Sequence, residues 1–397
     1  MRFTKPKKVI GLDIGSQSVK AVQVAQSGRG MNIEQIGYAQ IDRNMLNADP
    51  VATHAKAIRE AISDFSIQQS MVVGALPGQS VVIRYPRIYD TTNGDLDDAV
   101  EREASQSIPY KLSEVLLDWS LLAEEGEGES RQSKVLLVAA KHDVIDQRIQ
   151  FADIADIEFS TLTVDSLAIA DAAEACQLTN NNETVALIDI GSSSVGIHFT
   201  KNGISNFIRD ISWGGKELIQ AIAKHNRMDY EEAERLLLSE ADGLSRNSYG
   251  SDDVVEVSPV EEPRIALDNN DLGLGTAMPQ IDATSLTGGA SEEETLVDIL
   301  STPISRLVTE VRRSFDYYEH QLYEHSVDRV ILCGGAANLP LIREALSEEL
   351  GIEQVTVADP SAGAVSMNKR VNMNRGSVRA TQYMVAVGLA ARGLAEL

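Results

Sequence analysis

The sequence predicts an α/β fold of two related lobes around a cleft. Two observations carry that reading. The tetrapeptide Asp-Ile-Gly-Ser occurs twice, beginning at Asp13 and at Asp189, each time between two apolar, β-rich runs. The segments after each copy then follow one order, strand-strand-strand-helix-strand, which is the pattern of a duplicated unit. With 397 residues there is room for two cores of ordinary size.

Taken in order, Val9 to Val24 reads against Val185 to Thr200. Asp13 matches Asp189, Gly15 matches Gly191, Ser16 matches Ser192 and Ser18 matches Ser194. An apolar run, a Gly/Ser turn and a second β-rich run make a hairpin. A third strand is predicted over Asn32 to Ile41, and a helix over Val51 to Phe65. The second copy repeats them at Gly203 to Ile211 and Gly215 to Lys224. Met71 to Leu76 and Arg329 to Gly334 each read as a strand running into a Gly or Pro turn.

Two stretches fall outside the repeat. Residues 78–132 read as an inserted subdomain, with strands at Val81 to Arg87 and Val115 to Leu122, a helix at Leu96 to Gln106 and an acidic loop at Glu124 to Glu129. Residues 239–291 are rich in Asp, Glu, Ser, Asn and Gly. Their few large apolar residues do not offset the entropy of ordering, which predicts a disordered acidic insertion. The expected organisation is a first lobe at 1–77 and 133–180, and a second lobe at 181–238 and 292–397.

Composition removes several function classes. The formal net charge of −24 repels DNA and RNA, so a nucleic-acid partner is not expected. Cys176 and Cys333 form no metal-type spacing, so neither a zinc site nor a disulfide framework is expected, and a reducing compartment is. The basic start (Arg2, Lys5, Lys7, Lys8) meets Asp13 and Gly15 too soon to form the apolar core of a signal peptide. The late apolar run Met384 to Ala391 is too short to cross a bilayer, so no direct membrane insertion is expected.

The repeated turns carry the chemistry. Gly15 and Gly191 allow a tight turn whose backbone N–H groups converge on an anion. Ser16, Ser18, Ser192 and Ser194 add hydroxyl donors, with Gln17 and Ser193 between them. Asp13 and Asp189 would repel a phosphate directly. Their natural place is beside a hydrated Mg²⁺, which keeps most of its waters. A third feature is a strand, the turn Gly334-Gly335-Ala336 and a helix start with Asn338 as N-cap, whose flat surface suits an adenosine. Gly214, Gly215 and Lys216 open the second-lobe helix toward the same cleft.

Each feature alone is ordinary turn chemistry. Three of them, in matching positions of two half-repeats, point to ATP with Mg²⁺ held between the lobes. His198 reads as a packed strand residue, and Phe315, Tyr317, Tyr318 and Tyr323 read as helix packing.

Further segments carry a family resemblance: Ala75-Leu-Pro-Gly-Gln-Ser-Val-Val-Ile-Arg, Glu103-Ala-Ser-Gln-Ser-Ile-Pro-Tyr, Leu112-Ser-Glu-Val-Leu-Leu-Asp, Val311-Arg-Arg-Ser-Phe-Asp-Tyr-Tyr and Tyr383 to Gly393. Together with the order of the three turns, they resemble the actin, Hsp70 and sugar-kinase superfamily. Within it the chain resembles the PilM family of type IV pilus assembly, related to FtsA. The resemblance implies an actin-like (ribonuclease H-like) α/β fold of two lobes, and ATP and Mg²⁺ as cofactors. It implies the cytoplasmic N-terminal peptide of a PilN-type inner-membrane protein as partner, bound between the first lobe and residues 78–154. Other pilus assembly proteins are further partners, self-association is left open, and the location is cytoplasmic, peripheral to the inner membrane through partners. The superfamily places its catalytic or water-positioning residue in the loop that here ends at Asp165. From the residues alone, Asp165 also reads as the N-cap of a helix Ser166 to Cys176, so the expectation is slow ATP hydrolysis at best. The alternatives are an FtsA-like division or secretion-system actin homologue, or a small-molecule kinase of the same superfamily. Two positions depart from the family pattern: Ile219 stands where Thr is common, and no Lys stands near Leu237.

Overall fold

The computed structural model describes residues 8–397 apart from 29, 90–95, 127–131, 245–293, 323, 325 and 363–364. The chain begins with β1 (Lys8–Ile14), β2 (Ser18–Ser27), β3 (Gly30–Gln40), α1 (Arg43–Leu46), α2 (Pro50–Ala61) and β4 (Ser70–Leu76). Next come β5 (Val81–Arg84), β6 (Arg87–Tyr89), α3 (Leu96–Ser107), β7 (Val115–Glu125) and β8 (Gln132–Lys141). α4 (His142–Ile154), β9 (Thr161–Val164) and α5 (Asp165–Ala175) follow. The second half holds β10 (Thr184–Ile190), β11 (Val195–Lys201), β12 (Ile204–Ile211), α6 (Lys216–Asn226), α7 (Tyr230–Glu240), α8 (Leu296–Asp316), β13 (Arg329–Cys333), α9 (Pro340–Leu350) and β14 (Val355–Val357). The chain closes with β15 (Ser366–Met367) and α10 (Met384–Ala395).

The duplication is visible as topology. One sheet runs β15-β3-β2-β1-β4-β9 and the other β12-β11-β10-β13-β14. In each, an antiparallel hairpin flanks a central strand, which then pairs in parallel with the next strand across a helical crossover. β1 and β10 are apolar almost throughout, as strands covered on both faces require. The helix starts obey simple capping chemistry. Asp49 accepts from the Ala52 N–H ahead of Pro50, and Asp229 forms a capping box with Glu232.

α5 and α10 pack between the two sheets. Ala168 and Ala172 of α5 and Ala386, Val387 and Ala390 of α10 share one core with Val9, Val22 and Val73 on one side and Val185, Leu187 and Ile331 on the other. The helices come so close that a Cβ on Gly388 would lie 1.7 Å from the Ala168 carbonyl oxygen, and one on Gly11 of β1 2.0 Å from that of Ala386. Separate cores fill the outer face of each lobe. The two lobes therefore share one apolar layer.

Five expectations need correction. The inserted subdomain does not stop at 132: β8 is its central strand, pairing with β5, β6 and β7, so residues 132–141 belong to it rather than to the first lobe. The second lobe does not extend to 397. β15 pairs with β3, and α10 packs on the first sheet, because an apolar helix is best buried at the shared layer. Asn338 is not a helix N-cap: α9 starts at Pro340 after Leu339, and Asn338 ends a short 3-10 turn. Asp165 is not an N-cap either, since it is the first residue inside α5 and Val164 precedes it. The predicted acidic insertion starts later than expected, since Ser239 and Glu240 close α7 and Leu244 is buried; residues 245–291 of it, like Tyr323, lie outside the described residues.

A candidate nucleotide cleft between two matched turns

The two Asp-Ile-Gly-Ser turns face one another. In each, the Gly N–H closes the turn on the carbonyl three residues later: Gly15 to Ser18 at 3.1 Å and Gly191 to Ser194 at 3.0 Å. The hydroxyl of Ser193 donates to that of Ser16 at 2.9 Å, so the turns touch across the lobes. The backbone N–H groups of Ser16, Gln17, Ser192 and Ser193 meet no protein acceptor among the described residues. Four unused backbone donors on two turns in contact are a set that an oxyanion can use.

These turns floor a cleft of about 680 Å³. Among the sequence-predicted residues, Asp13, Gly15, Ser16, Gln17, Ser18, Asp165, Asp189, Gly191, Ser192, Ser193, Ser194, Gly215, Gly334, Gly335 and Ala336 all line it. Gly214 and Lys216 lie behind it. The Lys216 N–H donates to the Ser192 carbonyl at 3.0 Å, and a Cβ on Gly214 would lie 2.3 Å from that same oxygen, so this segment supports the second turn. Gly334 takes φ = +90°, and a Cβ there would meet Asp189 Oδ1 at 2.4 Å. The wall beyond the turns, with Leu237, Leu238, Ala241 and Leu339, is apolar and suits a flat ring.

Carboxylates gather at the deep end. Burial, with the Asp13 charge adding, pushes Asp189 up to about 6. Burial, with Asp210 and Asp189 adding, pushes Asp165 up to about 8, although the Gly78 and Ser166 N–H groups donate to it at 2.9 and 2.7 Å. Lys20 answers Asp13 at 3.1 Å: burial opposes its charge, yet the carboxylate holds it above its ordinary value. Among the described residues no three His, Cys, Asp or Glu side chains gather closely enough to hold a metal ion. Asp13 and Asp189 are the carboxylates that would face a hydrated Mg²⁺ in this cleft, a cation that keeps most of its waters.

Sequence reasoning missed several lining residues. Lys20 was legible, because the hairpin register sets it opposite Asp13. Arg148, on α4, carried no local signal; it is 8% exposed and donates to the Ile14 carbonyl at 3.0 Å. Gln17 and Arg43 both reach Glu234 of α7, Arg43 at 3.1 Å, with its guanidinium 4.1 Å from the Tyr230 ring centre. His198 packs as expected, buried between the Ser166 carbonyl and the Ser205 hydroxyl, both at 2.8 Å.

The family model of the type IV pilus assembly protein PilM matches residues 11–248 and 276–394. The chain belongs to the PilM family. The chain is also 22% identical over 408 residues to the cell division protein FtsA of Bacillus subtilis (strain 168), covering 96% of this chain and 82% of that protein. Among solved structures it resembles the PilM-PilN type IV pilus biogenesis complex, with a TM-score of 0.72 at 20% identity over 97% of this chain and 98% of that one. It also resembles the ethanolamine utilization protein EutJ from Carboxydothermus hydrogenoformans, with a TM-score of 0.50 at 15% identity over 98% and 90% of the two chains. At these identities the structural likeness is one of fold, and that fold is the actin-like pair of lobes expected for this PilM-family chain. Among the described residues no helix is long and apolar enough to cross a membrane.

Proposed function

We propose that this chain is an ATP-dependent adaptor of type IV pilus assembly, whose nucleotide state sets how its inserted subdomain meets a partner. The observation that carries the reading is the contact of the two matched turns, Ser193 on Ser16, across the lobes. A nucleotide phosphate chain seated there would be gripped by both lobes at once, so its length decides how far they close. Asp13 and Asp189 hold Mg²⁺ through its waters, which supplies the counter-charge that two carboxylates and a polyphosphate need.

Turnover is slow in this reading. Asp165 is the one candidate base in the loop the superfamily uses, and in the nucleotide-free chain burial and the neighbouring carboxylates favour its protonated form. A protonated acid orients a water but accepts no proton from it. The chain then acts as a switch rather than a fast ATPase.

The partner is the N-terminal peptide of a PilN-type protein. PilN accompanies PilM in the solved complex that this fold resembles. The boundary between the first lobe and residues 78–154 is offered as its seat, and an extended peptide along a sheet edge is a recognised binding mode. Other pilus assembly proteins, and an attachment to the inner membrane through them, follow from the same reading.

Calorimetry tests it. Mg-ATP should bind the wild type, Asp13→Ala and Asp189→Ala should bind it far more weakly, and a PilN-type peptide should bind with different affinity in ATP and in ADP. Absence of Mg-ATP binding, with the peptide still bound, would reduce the chain to a scaffold.

A further inference from the structure

We infer that Arg148 reads the terminal phosphate of the bound nucleotide and passes that reading to the inserted subdomain. The inference rests on the proposed nucleotide site and adds a role for a residue outside the repeated turns.

The first observation is a buried cation without an ion-pair partner. Arg148 lines the cleft at 8% exposure. Its one hydrogen bond among the described residues goes to the Ile14 carbonyl, which uses one of the five N–H donors of a guanidinium. Its ring neighbour is Phe151, one turn along α4, with 5.8 Å from the guanidinium carbon to the ring centre. No carboxylate stands within ion-pair distance among the described residues. Asp13 and Asp165 act on it only from further off. A buried charge in that position is costly unless an anion completes it.

The second observation is place. Arg148 lines the same cleft as the turns and donates to the carbonyl of Ile14, the residue between Asp13 and Gly15, within the electrostatic reach of Asp13 and Asp165. In the proposed pose the base lies on the apolar wall of Leu237, Leu238 and Leu339 and the phosphates run over the two turns, which brings the terminal phosphate to Arg148. Lys20 cannot serve alone, because it is already engaged by Asp13. A guanidinium matches phosphate oxygens with paired donors, and an added equatorial charge is what distinguishes a triphosphate from a diphosphate.

The third observation is connection. α4 starts at His142, immediately after the last residue of β8, with no linker. β8 is the central strand of the inserted subdomain. Arg148 lies about two helical turns along α4. A pull on its guanidinium is therefore a pull on the strand that carries the subdomain.

Calorimetry with Mg-ATP and Mg-ADP on the full chain tests this, together with hydrogen exchange over residues 132–141. Wild type should prefer ATP. R148Q should lose roughly 10-fold or more in ATP affinity while ADP affinity moves less than about 2-fold, a loss on the scale of one charge-assisted contact. R148K, which keeps the charge without the fork, should fall between them, and it carries the test should R148Q fail to fold. Exchange over β8 should differ between ATP and ADP in wild type and not in R148Q. Equal loss of both nucleotides, no loss of either, or a wild type that binds both equally would overturn the role of Arg148 alone. A wild type that binds neither would overturn the nucleotide site itself, and this role with it.

Discussion

A carboxylic acid held away from water keeps its proton, and Asp165 illustrates the consequence. Its folded value of about 8 lies above the ordinary aspartate value of the unfolded chain. The folded protein therefore binds more protons than the unfolded one across that window. Stability is fully present below about pH 4 and is lost as pH rises through about 8. Thermal melts of the nucleotide-free chain should show Tm falling from pH 5 to pH 8. Asp165→Asn keeps an acceptor for the Gly78 N–H and should flatten that fall; an undiminished slope would show that the proton resides elsewhere. Gly334 is a second residue-scale test. Its positive φ and the 2.4 Å approach to Asp189 leave no room for a methyl group. Gly334→Ala should cost about 2 kcal/mol in denaturant titrations and weaken nucleotide binding.

Elements are positioned here by close approach. α10 can cross β1 and lie on α5 because Gly388 and Gly11 have no Cβ where a backbone carbonyl sits 1.7 and 2.0 Å away. Gly388→Val should cost about 3 kcal/mol by overpacking, and it should loosen the shared layer rather than either outer core. Hydrogen exchange should then rise in α5 and α10 before it rises in α8; uniform loss of protection would place the weak point elsewhere. The same layer explains a misread boundary. The C-terminal helix reads in sequence as the end of the second lobe, whereas its apolar surface is satisfied only between the sheets.

At the scale of the molecule, closure is held by a few contacts that span the cleft. Ser16 meets Ser193, and Arg43 meets both Glu234 and the Tyr230 ring. The Arg43 pair is partly exposed and is worth only about 0.5–1 kcal/mol. That is enough to alter a rate. Arg43→Ala should speed release of a fluorescent ATP analogue roughly 2- to 5-fold in stopped-flow, with the melting temperature little changed. An unaltered release rate would separate this latch from the nucleotide.

The repeated Asp-Ile-Gly-Ser turns, the order of strands and helices and the hairpin at the head of each half were written locally, in apolar alternation and turn residues, and the sequence by itself determined them. It also determined the part of the cleft lining that the matched turns supply, because the two turns are equivalent in a duplicated fold and must oppose each other. Position along the chain could not reveal which distant segments share a layer. The placement of β8 in the inserted sheet, the return of α10 to the first lobe and the arrival of Arg148 beside the first turn were decided by tertiary structure alone. Each depends on burying a surface, or completing a charge, against residues over a hundred positions away in sequence or across a sheet, and no local propensity encodes that balance.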